Sequence, residues 1–458
     1  MNIAIPLLRR SRRGTILRRR AFSTTSCHHQ IKDIDTLPLR LIPKYQECRD
    51  SDLLSLQWPA PPRNILLVRK ASVPALVASL VEFIKYGAFP GLCQDCLTIA
   101  SHITSNYPSI SIILEPNSAA EVHHLLPCPV YTNTSGTQLS ELAHDRVDLA
   151  VTLGGDGTIL RASSLFATCH NVPPVLSFSM GTLGFLGEWK FAEYKRAFRE
   201  LYMSGAAAGD RTLSLEDPKP AGADQGAELR MGPTGWSSVR GKSMGSNRGP
   251  RILMRNRLRV GLFSPDGKPI DSKGETTRPG GSISDGRVYA LNEVLIHRGK
   301  EPHLAIVEVF VGGRFLTEAV ADGIIISTPT GSTAYSLSSG GSIVHPLVAS
   351  LLLTPICPRS LSFRPLVLPS STPVTLRLSE KNRGREVEVS IDGKNMGQAM
   401  AVGMEVRVWD EEIRHGKNDW RGGVPCVMRR TTGVEEADDG WVGGLNSLLK
   451  FNYPFGER

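Results

Sequence analysis

The stretch Val147-Asp148-Leu149-Ala150-Val151-Thr152-Leu153-Gly154-Gly155-Asp156-Gly157-Thr158-Ile159-Leu160-Arg161-Ala162-Ser163-Ser164-Leu165-Phe166 decides the fold. Its first seven residues are a short β-rich run, and from Ile159 onward apolar residues recur at helical spacing, so the sequence predicts strand, tight turn, helix. Glycines in such a turn accept positive φ and let a ligand approach the backbone, while the free N–H groups of a helix N-terminus attract an anion. Asp156 is the odd member. A carboxylate beside an anion is repelled unless a divalent cation bridges the two or the carboxylate accepts a substrate proton. Both uses belong to phosphoryl transfer. A plain structural reading stays open for these four residues alone, with Asp156 capping a helix after a glycine-rich connection.

A second turn, Ser327-Thr328-Pro329-Thr330-Gly331-Ser332-Thr333-Ala334-Tyr335-Ser336, follows another apolar run at 323–327. Hydroxyls at that density suit ribose and adenine edges, although such loops also form as merely solvated turns. Two such turns together imply a phosphorylated, polyhydroxylated ligand.

Working outward, apolar runs at 64–68, 111–114 and 175–178 alternate with helical stretches such as 119–126, which implies a parallel sheet whose ligands sit beyond the carboxyl ends of its strands. Between 252 and 428 the pattern changes to period two, as in Val374-Thr375-Leu376-Arg377-Leu378 and Val387-Glu388-Val389-Ser390-Ile391, and argues for a β-sandwich. The fold class is therefore α/β plus all-β. The expected division is a targeting peptide at 1–22, a polar lead-in at 23–60 and an α/β nucleotide-binding domain at 61–204. A low-complexity insertion at 205–250, a β-sandwich at 251–435 and a C-terminal segment at 436–458 that docks back on the α/β domain complete it. Residues 86–100 and 264–286 read as further insertions. At 458 residues the chain exceeds the roughly 250–300 that one core supports, so a division is required.

Charge points away from nucleic acid. Arg9, Arg10, Arg12, Arg13, Arg18, Arg19 and Arg20 supply seven of the nine net positive charges, and no acidic residue precedes Asp33. The remainder is nearly neutral, without the basic field that DNA or RNA binding needs. The Arg-rich, acid-free start reads as a mitochondrial targeting peptide with matrix import, cut near Ser23. No run of about 18 apolar residues exists to span a membrane. The eight cysteines are scattered, and Cys93-Gln94-Asp95-Cys96 lacks the second pair that a zinc site needs.

The order Gly154-Gly155-Asp156-Gly157-Thr158, Gly181-Thr182-Leu183-Gly184-Phe185-Leu186, Ala290-Leu291-Asn292-Glu293-Val294 and Asp322-Gly323 with the Ser327–Ser336 run resembles the NAD kinase family, including its fungal mitochondrial NADH kinases. Gly340-Gly341-Ser342-Ile343-Val344-His345-Pro346 and Ser390-Ile391-Asp392-Gly393 support the resemblance, which covers roughly residues 62–455. It implies a Rossmann-like (phosphofructokinase/diacylglycerol-kinase-like) N-terminal domain and a kinase that makes NADP(H) from NAD⁺ or NADH. In that family the residue matching Asp156 takes the proton from the adenosine-ribose 2′-hydroxyl as it attacks the γ-phosphate of ATP. Gly154, Gly155, Gly157 and Thr158 would face phosphates, and Arg161 could offer its fork to one. Asn292 and Glu293 would hold the dinucleotide, with Asp322, Thr333, Ala334, Tyr335, Ser336 and Ser338 lining the same pocket. Mg²⁺ is expected through the ATP phosphates rather than on protein ligands, and a homo-oligomer is implied. An aspartate is too weak a base to strip a ribose hydroxyl outright, so Asp156 would orient it and accept its proton late. The alternatives are a lipid (diacylglycerol or sphingoid) kinase sharing the Gly-Gly-Asp-Gly loop and a non-catalytic NADP(H)-binding regulator.

Overall fold

The run at 149–153 is the middle strand of a large sheet. The computed structural model describes residues 30–48, 51–70, 107, 109–126, 128–134, 138–179, 184–187, 189–206, 249–270, 288–415, 420–429, 441, 445 and 449. The expected targeting peptide, residues 86–100 and almost all of the 205–250 insertion lie outside this set, as do residues 271–287 and Gly181 to Leu183.

The strands Val130–Thr132, Ser111–Leu114, Asn64–Arg69, Leu149–Leu153 and Val175–Ser179 lie side by side in that order, all parallel. The last three are buried along nearly their whole length, as strands covered on both faces must be. One face packs Leu67, Val151 and Phe178 with Trp58, Ala119 and Phe198, whereas the other packs Leu66, Val68 and Ala150 with Ala162 of the helix Asp156–Ser164 and Phe166 just past its end.

Two expectations are corrected here. The lead-in is part of the sheet: Ile31–Asp33 pairs parallel to Val130–Thr132 at one edge, and the hairpin Lys44–Cys48, Ser51–Gln57 closes the other. Asp148 ties it down, its carboxylate accepting the N–H groups of Leu41, Arg63 and Asn64. Nor does the sandwich begin at 251 and end at 435. Arg251–Arg255 and Val424–Met428 pair antiparallel with each other and extend the first sheet between Val175–Ser179 and Ser51–Gln57. Their period suited either sheet, and pairing decided.

Between those two strands lies the sandwich. One antiparallel sheet runs Pro269–Ile270, Leu258–Phe263, Glu405–Asp410, Val374–Leu378, Ala305–Val311, Arg314–Ala321, with Val288–Ala290 beside Leu258–Phe263. The other runs Leu366–Pro369, Ser350–Ile356, Gly323–Ser327, Glu293–His297, Glu386–Ile391, Lys394–Asn395. Strict alternation of buried residues in Val374–Leu378 puts Val374, Leu376 and Leu378 into a shared core with Val294, Ile324 and Val389 of the facing sheet. Of the C-terminal segment, the ring of Trp441 meets that of His345 edge-on at 4.7 Å, on the sandwich side. The rest of that segment, and the docking expected of it on the α/β layer, falls outside the described residues. Among the described residues no helix is long and apolar enough to cross a membrane.

Candidate active site

The helix Asp156–Ser164 starts directly at the carboxyl end of Leu149–Leu153, with Gly155 as its N-cap. Gly154 has φ of +152°, and a Cβ there would lie 2.3 Å from Thr158 Oγ1, so the buried Thr158 fills the space a side chain would need. Beside Gly155 and Gly157 there is open space, with nothing within 4 Å of a built Cβ. Asp156 stands between them with both oxygens fixed. Its Oδ2 accepts the N–H of Phe185 at 3.0 Å and its Oδ1 that of Leu186 at 3.1 Å. At Gly184 a Cβ would come within 2.2 Å of Asp156 Oδ1, so only a hydrogen fits. The Gly184-Phe185-Leu186 stretch, noticed in the sequence only as one of the motifs of the family resemblance, is thus the mount of the Asp156 carboxylate.

Asn292 and Glu293 do not lie inside one strand. Val288–Ala290 belongs to one sheet of the sandwich and Glu293–His297 to the other, so Leu291 and Asn292 form the crossing between them. Asp392 holds that crossing. Its Oδ2 accepts from Leu291 N–H at 2.8 Å, and its Oδ1 from Asn292 and Glu293 N–H at 2.7 and 3.1 Å. It does so from a left-handed conformation, φ +48°, followed by Gly393 at +73°. Burial raises the Asp392 carboxyl above the ordinary range despite these donors. Burial, and then the neighbouring Asp392, push Glu293 up to about 7. Glu293 Oε2, Asn292 Oδ1 and Ser327 Oγ are buried with no hydrogen-bond partner, and Glu293 and Ser327 are cross-strand neighbours. Each such atom costs about 1–3 kcal/mol, so three in one place mark a spot suited to a ligand rich in hydrogen-bonding groups.

The second turn leans on the same crossing. Thr328 N–H donates to Asn292 O at 2.9 Å, Thr328 Oγ1 donates to Leu291 O at 2.7 Å, and a Cβ on Gly331 would lie 2.2 Å from Asn292 O. Several of its hydroxyls are committed inward. Ser336 is fully buried and bonds Thr354 at 2.8 Å, Thr333 Oγ1 donates to Thr330 O, and Ser332 Oγ accepts the N–H of Val344. Ala334 is half-buried, while Tyr335 and Ser338 are exposed.

Two further residues stand elsewhere. Arg161 directs Nε to Glu115 Oε1 at 2.9 Å rather than to the open turn. Asp322 pairs with Arg298 Nε at 2.6 Å. Because Glu293 faces Ser327 and His297 faces Gly323, Asp322 is at the opposite end of its strand from Ser327, about 17 Å away at ~3.4 Å per residue. Within this chain it does not line the pocket of Asn292 and Glu293. The two halves otherwise meet: Leu291, next to Asn292, packs with Ala162 and Phe166 of the Asp156 helix and its exit.

Family models match this chain in two places, the ATP-NAD kinase N-terminal domain at residues 104–206 and the ATP-NAD kinase C-terminal domain at 291–412. The mitochondrial NADH kinase of Schizosaccharomyces pombe is 37% identical over 432 residues, covering 93% of this chain and 86% of that protein. The mitochondrial NADH kinase of Saccharomyces cerevisiae is 32% identical over 454 residues, covering 93% and 89%. A crystal structure of yeast NADH kinase complexed with NADH superposes with a TM-score of 0.67 at 32% identity, covering 94% of this chain and 98% of that one. The chain belongs to the NAD kinase family.

Proposed function

We propose that this NAD(H) kinase uses Asp156 as the proton acceptor of the transfer and the crossing at Asn292 and Glu293 to hold the dinucleotide. It phosphorylates NAD⁺ or NADH with ATP to make NADP(H). The observation that supports the role of Asp156 most directly is its carboxylate, held by two backbone amides between two glycines that open onto free space. The 2′-oxygen of the adenosine ribose forms the new P–O bond, the bond from the γ-phosphorus to the bridging oxygen breaks, ADP leaves with that electron pair, and the hydroxyl proton passes to Asp156. Such a transfer needs little covalent help, so placement and charge neutralisation supply most of the acceleration.

Among the described residues no group of three or more His, Cys, Asp and Glu side chains gathers to hold a metal. The open glycines and the single carboxylate of the turn suit Mg²⁺ carried in on the ATP phosphates, where it would neutralise phosphate charge. Asn292 Oδ1, Glu293 Oε2 and Ser327 Oγ meet the amino and hydroxyl groups of the adenosine half. Mitochondrial placement follows from the Arg-rich start and from relatives that are mitochondrial NADH kinases, with the matrix as the compartment. Self-association is expected and is read by light scattering.

The test is chromatographic detection of NADP⁺ and NADPH made by the purified chain with Mg-ATP and either NAD⁺ or NADH. Asp156→Asn is expected to abolish product while leaving dinucleotide binding. Unchanged turnover would remove Asp156 from the mechanism, and binding without product from the unsubstituted chain would favour a regulator.

A further inference from the structure

Arg257 is fully buried and joins the two halves of the molecule. Its Nε donates to Glu411 Oε2 at 2.7 Å and its Nη2 to Glu411 Oε1 at 2.6 Å, a bidentate pair. Nη1 donates to Phe166 O at 3.0 Å, Nη2 also to Cys169 O at 2.8 Å, and the guanidinium lies 4.3 Å from the centre of the Tyr289 ring. Both carbonyls belong to the turn at the exit of the helix that begins with Asp156. Glu411 is held in place by the N–H of Gly423 at 2.8 Å and approached by His170 Nδ1 at 3.4 Å. Tyr289, two residues before Leu291, donates its N–H to Ala167 O at 2.8 Å. One guanidinium therefore grips the far end of the Asp156 helix and the strand that runs into Leu291-Asn292-Glu293.

Stability alone does not account for this arrangement. A buried ion pair surrenders the hydration of both charges, and apolar residues of similar volume commonly serve as well or better. An apolar pair, however, cannot bond the two helix-exit carbonyls. Ten residues at ~1.5 Å rise put Phe166 about 15 Å from Asp156, so Arg257 touches neither reacting group.

We propose that Arg257 is a positioning residue for phosphoryl transfer, setting the placement of the Asp156 turn relative to the dinucleotide held at Asn292 and Glu293. The proposal rests on the assignment of those residues to the two halves. A misplacement of about 1 Å costs on the order of a hundredfold in rate while leaving each substrate its own contacts.

The experiment uses the full chain and two principal variants, Arg257→Lys and the double variant Arg257→Met with Glu411→Leu, with Arg257→Ala as a third for rescue. The readouts are kcat for NADPH formation, NADH affinity from the fluorescence of the bound nicotinamide, and thermal midpoint. Both variants are expected to lose kcat by about a hundredfold with NADH affinity within about threefold of the unsubstituted chain, the pattern of an interaction felt only in the transition state. The double variant leaves the Phe166 and Cys169 carbonyls and the Gly423 N–H without partners, so its thermal midpoint is expected to fall by several degrees, and kcat is read well below that midpoint to separate positioning from folding. Guanidinium ion added at millimolar concentration to Arg257→Ala should restore part of kcat. A folded double variant with native kcat overturns the proposal, as does a loss of kcat matched by an equal loss of NADH affinity. No product from the unsubstituted chain would overturn the kinase reading and this proposal with it.

Discussion

Replacing Gly184 by alanine tests the mount of the Asp156 carboxylate. The new Cβ would lie 2.2 Å from Asp156 Oδ1, 2.7 Å from Cγ and 2.9 Å from Oδ2, whereas ordinary contact begins at 3.4 Å. The carboxylate must retreat by about 1.2 Å, which takes both oxygens out of reach of the Phe185 and Leu186 amides that hold them at 3.0 and 3.1 Å. A displacement of that size at a reacting group costs about a hundredfold in kcat, or ~2.7 kcal/mol of barrier. The residues proposed to hold the dinucleotide are on the other half, so its affinity should stay the same. Turnover is measured as NADPH formed from NADH and Mg-ATP, and affinity by nicotinamide fluorescence. Gly157→Ala is the control, since nothing lies within 4 Å of its built Cβ and alanine favours a helix by up to ~1 kcal/mol. That variant should fold at least as well but bind ATP more weakly if phosphates pass over the turn. Gly184→Ala with kcat within about threefold of native, in a folded protein, would refute the account of how Asp156 is held.

The crossing yields two further predictions. Asp392→Ala strips three backbone N–H groups of their acceptor and should cost about 3–5 kcal/mol in urea unfolding, with dinucleotide affinity falling at least tenfold; an affinity unchanged in the folded variant would separate Asp392 from the site. Glu293, held near pH 7 in the fold against 4.5 for the free side chain, keeps its proton where the unfolded chain has lost it. Its contribution to stability therefore declines as pH rises from 4.5 to about 7 and is level above, a loss of at most about 3 kcal/mol. Urea titrations at pH 5.5 and 8 should show this decline, and Glu293→Gln should flatten it; an equal slope in both proteins would assign the decline to another group.

What the sequence revealed depended on how local the physics was. The strand, glycine turn and helix around Asp156 were legible because a run buried on both faces, a turn needing positive φ and a helical repeat leave their marks within twenty residues. The sandwich strands were legible through their alternation. Lys44–Cys48 was not, because an edge strand exposes most of its side chains and reads as a polar linker. Arg251–Arg255 looked like any sandwich strand, and only its partner 169 or more positions later in the chain assigns it to the other sheet. The same distance hid what holds the site. Asp392 reaches Leu291 across 101 positions, Phe185 reaches Asp156 across 29, and Arg257 reaches Phe166 across 91. Composition did not reveal direction in the Ser/Thr-rich turn, where Ser332 and Ser336 turn inward while Tyr335 and Ser338 stay exposed.

The paired strands at 251–255 and 424–428 carry a modular consequence. The chain leaves the first sheet at Arg255 and returns at Val424, and these two residues are direct cross-strand partners. A short hairpin turn could join them, bypassing the whole sandwich and leaving the first sheet with every strand in its present order. The sandwich is in this sense a guest spliced into a host at one rung of a ladder. Its two covalent connections lie side by side, so they act as a single swivel, and only contacts away from that swivel can fix the angle at which guest meets host.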